Sequence, residues 1–236
     1  AHYPVAFMAA LLTSEKDNRD KIIKHMITCK DMGINILPPD INESEKDFSI
    51  SGENIRFGLA AVKNVGDAAI DSIIEARNNG NFNTFMDFLI RIDLRKTNKR
   101  VLESLIKCGA FDSLGYKRRQ LMEHFEDAME EAQRRQKEIQ SAQASFFDQL
   151  EAPSGKNNGG STYEIPDSAE WDQKELLATE KEALGFYISG HPLLRYADKL
   201  KFVTNANSAN LSAKNDKDTV TIAGVVSALA ERQTKR

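Results

Sequence analysis

Leu59-Ala60-Ala61-Val62-Lys63-Asn64-Val65-Gly66-Asp67-Ala68-Ala69-Ile70 is the stretch on which the reading of this chain turns. It sets an apolar residue and a glycine between two helix-prone runs, with small residues opening the second. That is the pattern of a helix-hairpin-helix. Gly66 permits a tight turn and lets a phosphate group come close to the backbone. The helix after it offers free N–H groups and a positive dipole end to that anion. Ala68 and Ala69 let the two helices pack closely, and Ile70, Ile73 and Ile74 face the core. A motif of this kind meets phosphates and not base edges, so it predicts binding without sequence preference. Its candidate contacts are Lys63, Asn64, Val65 and Gly66.

A looser second copy follows: Val101-Leu102-Glu103-Ser104-Leu105-Ile106-Lys107, a glycine-bracketed turn, then Lys117-Arg118-Arg119. Residues 91–119 hold nine basic residues (Arg91, Arg95, Lys96, Lys99, Arg100, Lys107, Lys117, Arg118, Arg119) against three acids (Asp93, Glu103, Asp112), a local charge of +6. With −3 over the whole chain, the remainder carries −9. Clustered positive charge is what phosphate binding requires, and a solvated helical face gives the same count. Lys107, Lys117, Arg118 and Arg119 are the candidate charges of this copy.

Outward from these motifs the chain reads as mainly α. Residues 5–12 are apolar and helix-prone. Asn18 caps a second helix whose Ile22, Ile23, Met26 and Ile27 form one face, and Gly33 stops it. Pro38-Pro39 prevents a helical restart. Phe48, Ile50, Ile55 and Phe57 alternate with polar neighbours around Ser51-Gly52-Glu53-Asn54, which predicts a β-hairpin. Helices follow over 67–77, from a capping box at Thr84 and Asp87, over about 98–107, and from about Lys117 to Gln140. Residues 151–162 have linker composition. A helix over about 169–188 ends before Gly190 and Pro192. Residues 220–226 read as the start of a strand whose partners lie beyond Arg236.

Composition is that of an ordinary globular chain: 236 residues, 41% hydrophobic and 28% charged. Cys29 and Cys108 stand alone, and the four histidines show no metal-ligand spacing, which reads as a reduced, cytosolic, metal-free protein. No apolar run has the roughly 20 residues a membrane span needs. Both ends look cut. Asp40 and Asp47 read as turn and hairpin residues, not a metal pair, and Asp216 and Asp218 as a turn.

One further motif, Gln143-Ala144-Ser145-Phe146-Phe147, follows the long charged helix and is expected to lie outside the packed core in an extended segment. Two adjacent phenylalanines are ordinary if buried; if exposed they are an anchor for a partner's pocket.

Taken together these residues resemble the alpha-subunit family of bacterial DNA polymerase III, of the DnaE type. The resemblance runs along the chain and is carried by Tyr3-Pro4 with Phe7-Met8-Ala9-Ala10-Leu11-Leu12, Leu37-Pro38-Pro39-Asp40-Ile41-Asn42, and Arg56-Phe57-Gly58 leading into the quoted hairpin. It continues through Ser104-Leu105-Ile106-Lys107-Cys108-Gly109-Ala110-Phe111-Asp112 and Glu182-Ala183-Leu184-Gly185-Phe186-Tyr187-Ile188-Ser189-Gly190-His191-Pro192.

The resemblance implies an order of parts: residues 1–50 the end of the fingers region, 51–150 the tandem helix-hairpin-helix region, 151–167 a flexible linker, 168–200 a helical connector, and 201–236 the start of a truncated OB-fold. The implied fold class is mainly α, a tandem helix-hairpin-helix domain with a small β-hairpin and the first OB-fold strand. Residues 143–147 look like the family's internal sliding-clamp motif: Gln, two variable residues, two apolar ones. Here Phe146 stands where Leu or Met is commoner.

Implied partners are double-stranded DNA, the sliding clamp and other subunits of the replicative holoenzyme, in the cytoplasm and with no membrane. The family's catalytic carboxylates lie upstream in the palm. This chain is therefore expected to be inactive and to hold no cofactor, the Mg2+ belonging to the parent polymerase. Two other readings compete: a free-standing helix-hairpin-helix repair protein, which would need metal ligands, and a helical adaptor that binds only proteins.

Overall fold

The structure is a computed structural model that describes residues 2–16, 18–148, 163–190, 192–207 and 210–226, without the side chains of residues 142–148 and 194. The chain divides into two compact units, residues 1–188 and 189–236.

In the first unit, Pro4 opens α1 (Pro4–Ser14), where its missing N–H costs nothing. The Asn18 side chain accepts from Lys21 N at 3.2 Å and starts α2 (Arg19–Asp31). Gly33, at φ 74°, closes it. The buried stripe of α2 is Ile22 and Cys29 with Met26 partly covered, while Ile23 and Ile27 are exposed. The expected apolar face is thus narrower than its four residues.

The hairpin forms as expected, β2 (Ser49–Ser51) antiparallel to β3 (Asn54–Arg56). A further strand, β1 (Ile36–Leu37), pairs parallel with β3, giving the order β1-β3-β2. Two residues between Gly33 and Pro38 are too short to show a period, so β1 carries no sequence signal. Ile55, on the central strand, is fully buried; Ile50, opposite it on the edge, is 55% exposed.

A 3-10 turn at Leu59–Ala61 precedes α3 (Asp67–Arg77). Then come α4 (Phe85–Arg91), capped by Thr84 Oγ1 accepting from Asp87 N at 3.0 Å, and α5 (Lys99–Lys107), capped by Asn98. An edge-to-face cluster binds these pieces: Phe88 lies 4.9 Å from Phe111 and 5.0 Å from Phe82, and Phe85 lies 5.0 Å from Phe111.

The long helix α6 (Arg118–Asp148) buries Leu121, Phe125, Ala128, Met129 and Ala132, a stripe at helical spacing, and packs on α4 and α5. Gln136 donates to the carbonyls of Leu89, Ile90 and Ile92. Beyond this the helix is solvated and laced by the Glu131, Arg134, Arg135 and Glu138 pairs. It does not stop near Gln140. No Gly or Pro interrupts residues 141–148, and Ala and Gln are good helix formers, so the backbone of residues 143–147 is helical instead of extended. The side chains of Gln143, Ala144, Ser145, Phe146 and Phe147 lie outside the described residues, as do residues 151–162, read as linker.

Residues 163–167, also read as linker, pack against the first unit: Tyr163 and Ile165 are partly buried on its core. The helix expected over 169–188 is shorter. Asp172 accepts from Glu175 N and starts α7 (Gln173–Leu184), and Gly185, at φ 93°, ends it. Phe186 then enters the core 5.8 Å from Phe57.

In the second unit a 3-10 turn at Leu194–Tyr196 leads into α8 (Ala197–Val203). Residues 220–226 form no strand among the described residues. Thr221 instead exchanges bonds with Asn205, its N–H donating to the Asn205 side chain and its carbonyl accepting from Asn205 N. A ladder needs a partner strand, and the described residues offer none. Asp218 accepts from Asn215 N in the turn before it, as its sequence suggests.

Candidate nucleic-acid interface

The first hairpin joins the 3-10 turn to α3 through Val62, Lys63, Asn64, Val65 and Gly66. Its left-handed residue is Asn64, at φ 64°, and not Gly66. Asparagine tolerates that conformation, and its side chain donates to Ser104 Oγ on α5 at 3.0 Å. Gly66 is the N-cap of α3 at φ −88°, and a Cβ built there meets nothing within 4 Å. The fold therefore has no need of a glycine at this point. What the missing side chain does is leave the helix end open. The N–H groups of Gly66, Asp67 and Ala68 have no acceptor among the described residues, and all three residues are exposed.

Ala69, not Ala68, provides the close packing, together with Ile70 and Ile73; Ile74 is half-buried. Val65 is buried and anchors the turn. Asp67 brings a carboxylate to this helix end and pairs with Lys46 at 3.1 Å.

Lys63 does not stand free beside these amides. Its backbone N–H donates to Ala183 O at 3.0 Å and its ammonium to Glu182 O, which ties the hairpin to the C-terminal end of α7. Burial pushes its pKa below the ordinary lysine value, Arg19 nearby pushes the same way, and Glu182 opposes them.

The second hairpin runs from α5 through Gly109 (φ 80°) and a 3-10 turn at Asp112–Leu114 to Gly115 (φ 82°) and α6. Here the left-handed φ favours glycine at position 109, and a Cβ would fall 2.2 Å from Arg118 Nη2, so the guanidinium would have to shift. The Arg118 guanidinium lies over that turn, 9% exposed. It donates to Asp112 at 2.7 and 3.1 Å and to Lys107 O at 3.3 Å, and it stands 3.8 Å from Glu180, which is 2% exposed. Arg118 thus clasps the hairpin internally and is not available to a phosphate.

The other candidate charges are likewise matched. Lys107 pairs with Glu182 at 2.9 Å, Lys117 with Asp167 at 2.7 Å and Arg119 with Glu123 at 2.7 Å. The N–H groups of Arg118 and Arg119 donate to the Glu170 carboxylate. The +6 stretch is thereby largely answered by acids from elsewhere in the same chain.

Arg100 is a further candidate that the sequence reading did not single out. It is exposed, pairs with no carboxylate among the described residues, and lies four residues before Ser104 on α5, one turn from the Asn64 contact. Its signal was present in the basic stretch, but only the Asn64 bond ties it to the first hairpin.

Asp40 and Asp47 have structural partners, as their sequence positions suggest. Asp40 Oδ1 accepts from Asn42 N and Glu43 N, and Asp47 pairs with Lys16. Among the described residues no three His, Cys, Asp or Glu side chains gather in a way that could hold a metal ion. Cys29 and Cys108 are free and buried, and burial pushes the Cys108 thiol up to about 12. Among the described residues no helix is long and apolar enough to cross a membrane.

A family model described as a helix-hairpin-helix motif matches residues 33–121, which include both hairpins. Curated DNA polymerase III alpha subunits align with the chain. The protein from Mycobacterium tuberculosis is 43% identical over 194 residues, 82% of this chain and 16% of its own length. That from Saccharopolyspora erythraea is 39% identical over 242 residues, and that from Vibrio cholerae 38% over 238, each across 100% of this chain and 20% of its own length. The chain therefore belongs to the DNA polymerase III alpha-subunit family, as a segment that spans 16–20% of these relatives' length and carries a helix-hairpin-helix motif.

Proposed function

We propose that this segment holds the phosphate backbone of duplex DNA, without reading its sequence, as part of a DNA-directed DNA polymerase. The observation that carries the proposal is the open end of α3. Three N–H groups at a helix N-terminus lack an acceptor among the described residues, behind a glycine that the fold does not require. Arg100, one helical turn before the Ser104 that Asn64 contacts, is taken to supply charge, and Lys63 ties the turn to α7.

The test is duplex binding by Gly66→Ala and Ala68→Glu. The alanine fits the backbone, its gain of about 0.4–1 kcal/mol through the unfolded state is offset by its poorer standing as an N-cap, and its methyl group obstructs the phosphate. The glutamate also favours the helix end, by about 0.3–1 kcal/mol, and repels DNA. Both variants lose affinity on every duplex alike while thermal unfolding stays level or rises. Unchanged affinity removes the first hairpin from the interface.

The same proposal takes residues 143–147 as a sliding-clamp motif, on the order Gln143, two small residues, Phe146, Phe147. Changing Phe146 and Phe147 together to Ala abolishes clamp binding with melting nearly unchanged; a loss of several degrees places the rings in the fold instead. Catalysis belongs to carboxylates upstream in the parent polypeptide, which works with Mg2+ in the cytoplasm alongside the other holoenzyme subunits. Purified chain given Mg2+, primer-template and nucleotides extends no primer, and extension contradicts this part of the proposal.

A further inference from the structure

Residues 163–172 lie along the start of α6 and carry Glu164, Asp167, Glu170 and Asp172. Their contacts fall on the groups that a phosphate at the second hairpin would use. Glu170 spreads its two carboxylate oxygens over two successive amides, accepting from Arg118 N at 2.8 Å and Arg119 N at 3.1 Å. Asp167 takes the Lys117 ammonium. Ser168 donates to Glu123, which in turn holds Arg119. Gln120 donates to Ile165 O at 3.2 Å and keeps the segment in place.

Two oxygens of one anion on consecutive N–H groups at a helix start is the arrangement an oxyanion adopts there. Among the described residues the amides of Gly66, Asp67 and Ala68 meet no such group. A helix cap alone would account for Glu170. It would not account for Asp167 on Lys117, nor for the indirect hold on Arg119 through Ser168.

Building on the duplex-binding reading of the first hairpin, we infer that residues 163–172 are an acidic strap that closes the second hairpin. Glu170 occupies the seat of a phosphate, Asp167 neutralises the neighbouring lysine, and the duplex is held by the first hairpin alone. The two motifs then act as one site and one internal brace.

The test uses the whole chain, 15N-labelled, with inorganic sulfate as the probe, followed by duplex binding over a series of salt concentrations. In the unaltered chain sulfate shifts the amides of Gly66, Asp67 and Ala68 and leaves those of Arg118 and Arg119 in place. In Glu170→Ala the Arg118 and Arg119 amides respond as well, and the salt dependence of duplex binding steepens by about one phosphate contact, a slope change near 0.9. Should that variant not fold, Glu170→Gln keeps an acceptor for one amide, removes the charge, and gives the same shifts at higher sulfate. No sulfate response at Arg118 or Arg119 in a folded variant overturns the strap. If the unaltered chain binds no duplex but the variant gains the sulfate response, the strap stands and the duplex reading falls.

Discussion

In the first hairpin the positive-φ residue is Asn64, and the helix after it begins with three N–H groups that find no acceptor among the described residues. In the second the corresponding turn holds Gly109, a guanidinium covers it, and the first amides of α6 sit on a carboxylate. The same motif is thus finished in two ways. One ends in unsatisfied donors facing water, the state a helix N-terminus has before it meets an anion. The other ends in ion pairs with Asp167 and Glu182 and in amide hydrogen bonds to Glu170, which make it part of the packing between α5, α6 and α7. Basic residues in a motif do not by themselves identify a binding surface; what answers their charge does.

The largest expected effect breaks the second hairpin. Arg118→Ala removes the guanidinium that holds Asp112 and faces the buried Glu180, at a cost of about 1.5–3 kcal/mol for the lost charged hydrogen bonds. Calorimetry then shows melting lowered by several degrees. Unchanged melting makes Arg118 available for DNA after all.

A smaller effect, on binding only, sharpens the other side of the comparison. Arg100→Glu weakens duplex binding and flattens its salt dependence by about one contact while melting stays level. Lys117→Ala, whose charge Asp167 already answers, changes affinity far less. Equal losses from the two would erase the distinction between the hairpins.

The smallest effect is in pH. The Lys117 hydrogen bond and charge hold the Asp167 carboxyl below its ordinary value of 3.8, and bonds from Ser168 and Arg119 hold Glu123 below 4.5. A depressed folded pKa contributes stability that is present above the unfolded value and is lost as pH falls through the folded one. The Asp167 and Glu123 contacts therefore loosen only below the ordinary carboxylate range. Acid titration followed by hydrogen exchange at residues 165–170 shows this loosening, and Asp167→Asn removes part of it. Loosening near neutral pH would point to other groups.

Much of this fold was legible because its signals are local. Asn18 and Thr84 cap the helices they were expected to cap, and α3 has its expected bounds. The signals that failed were of two kinds. Some were too short: β1 has two residues, and the stop of α7 is one glycine. Others depend on partners far along the chain. Lys107 and Glu182 are 75 residues apart, Lys117 and Asp167 are 50 apart, and no pattern within one window announces such a pair. That is why Arg118 looked like a DNA contact and proves to be a clasp. The first hairpin's turn was placed correctly but its reason was not: Asn64 takes the left-handed residue, and Gly66 matters for what it leaves uncovered.

The inequality of the hairpins is tested most directly by titrating the 15N-labelled chain with a short duplex at low salt and following individual amides. The account predicts shifts at Gly66, Asp67 and Ala68, and at Arg100, with Arg118 and Arg119 unmoved. Shifts at Arg118 and Arg119 with none at Gly66, Asp67 and Ala68 would contradict it.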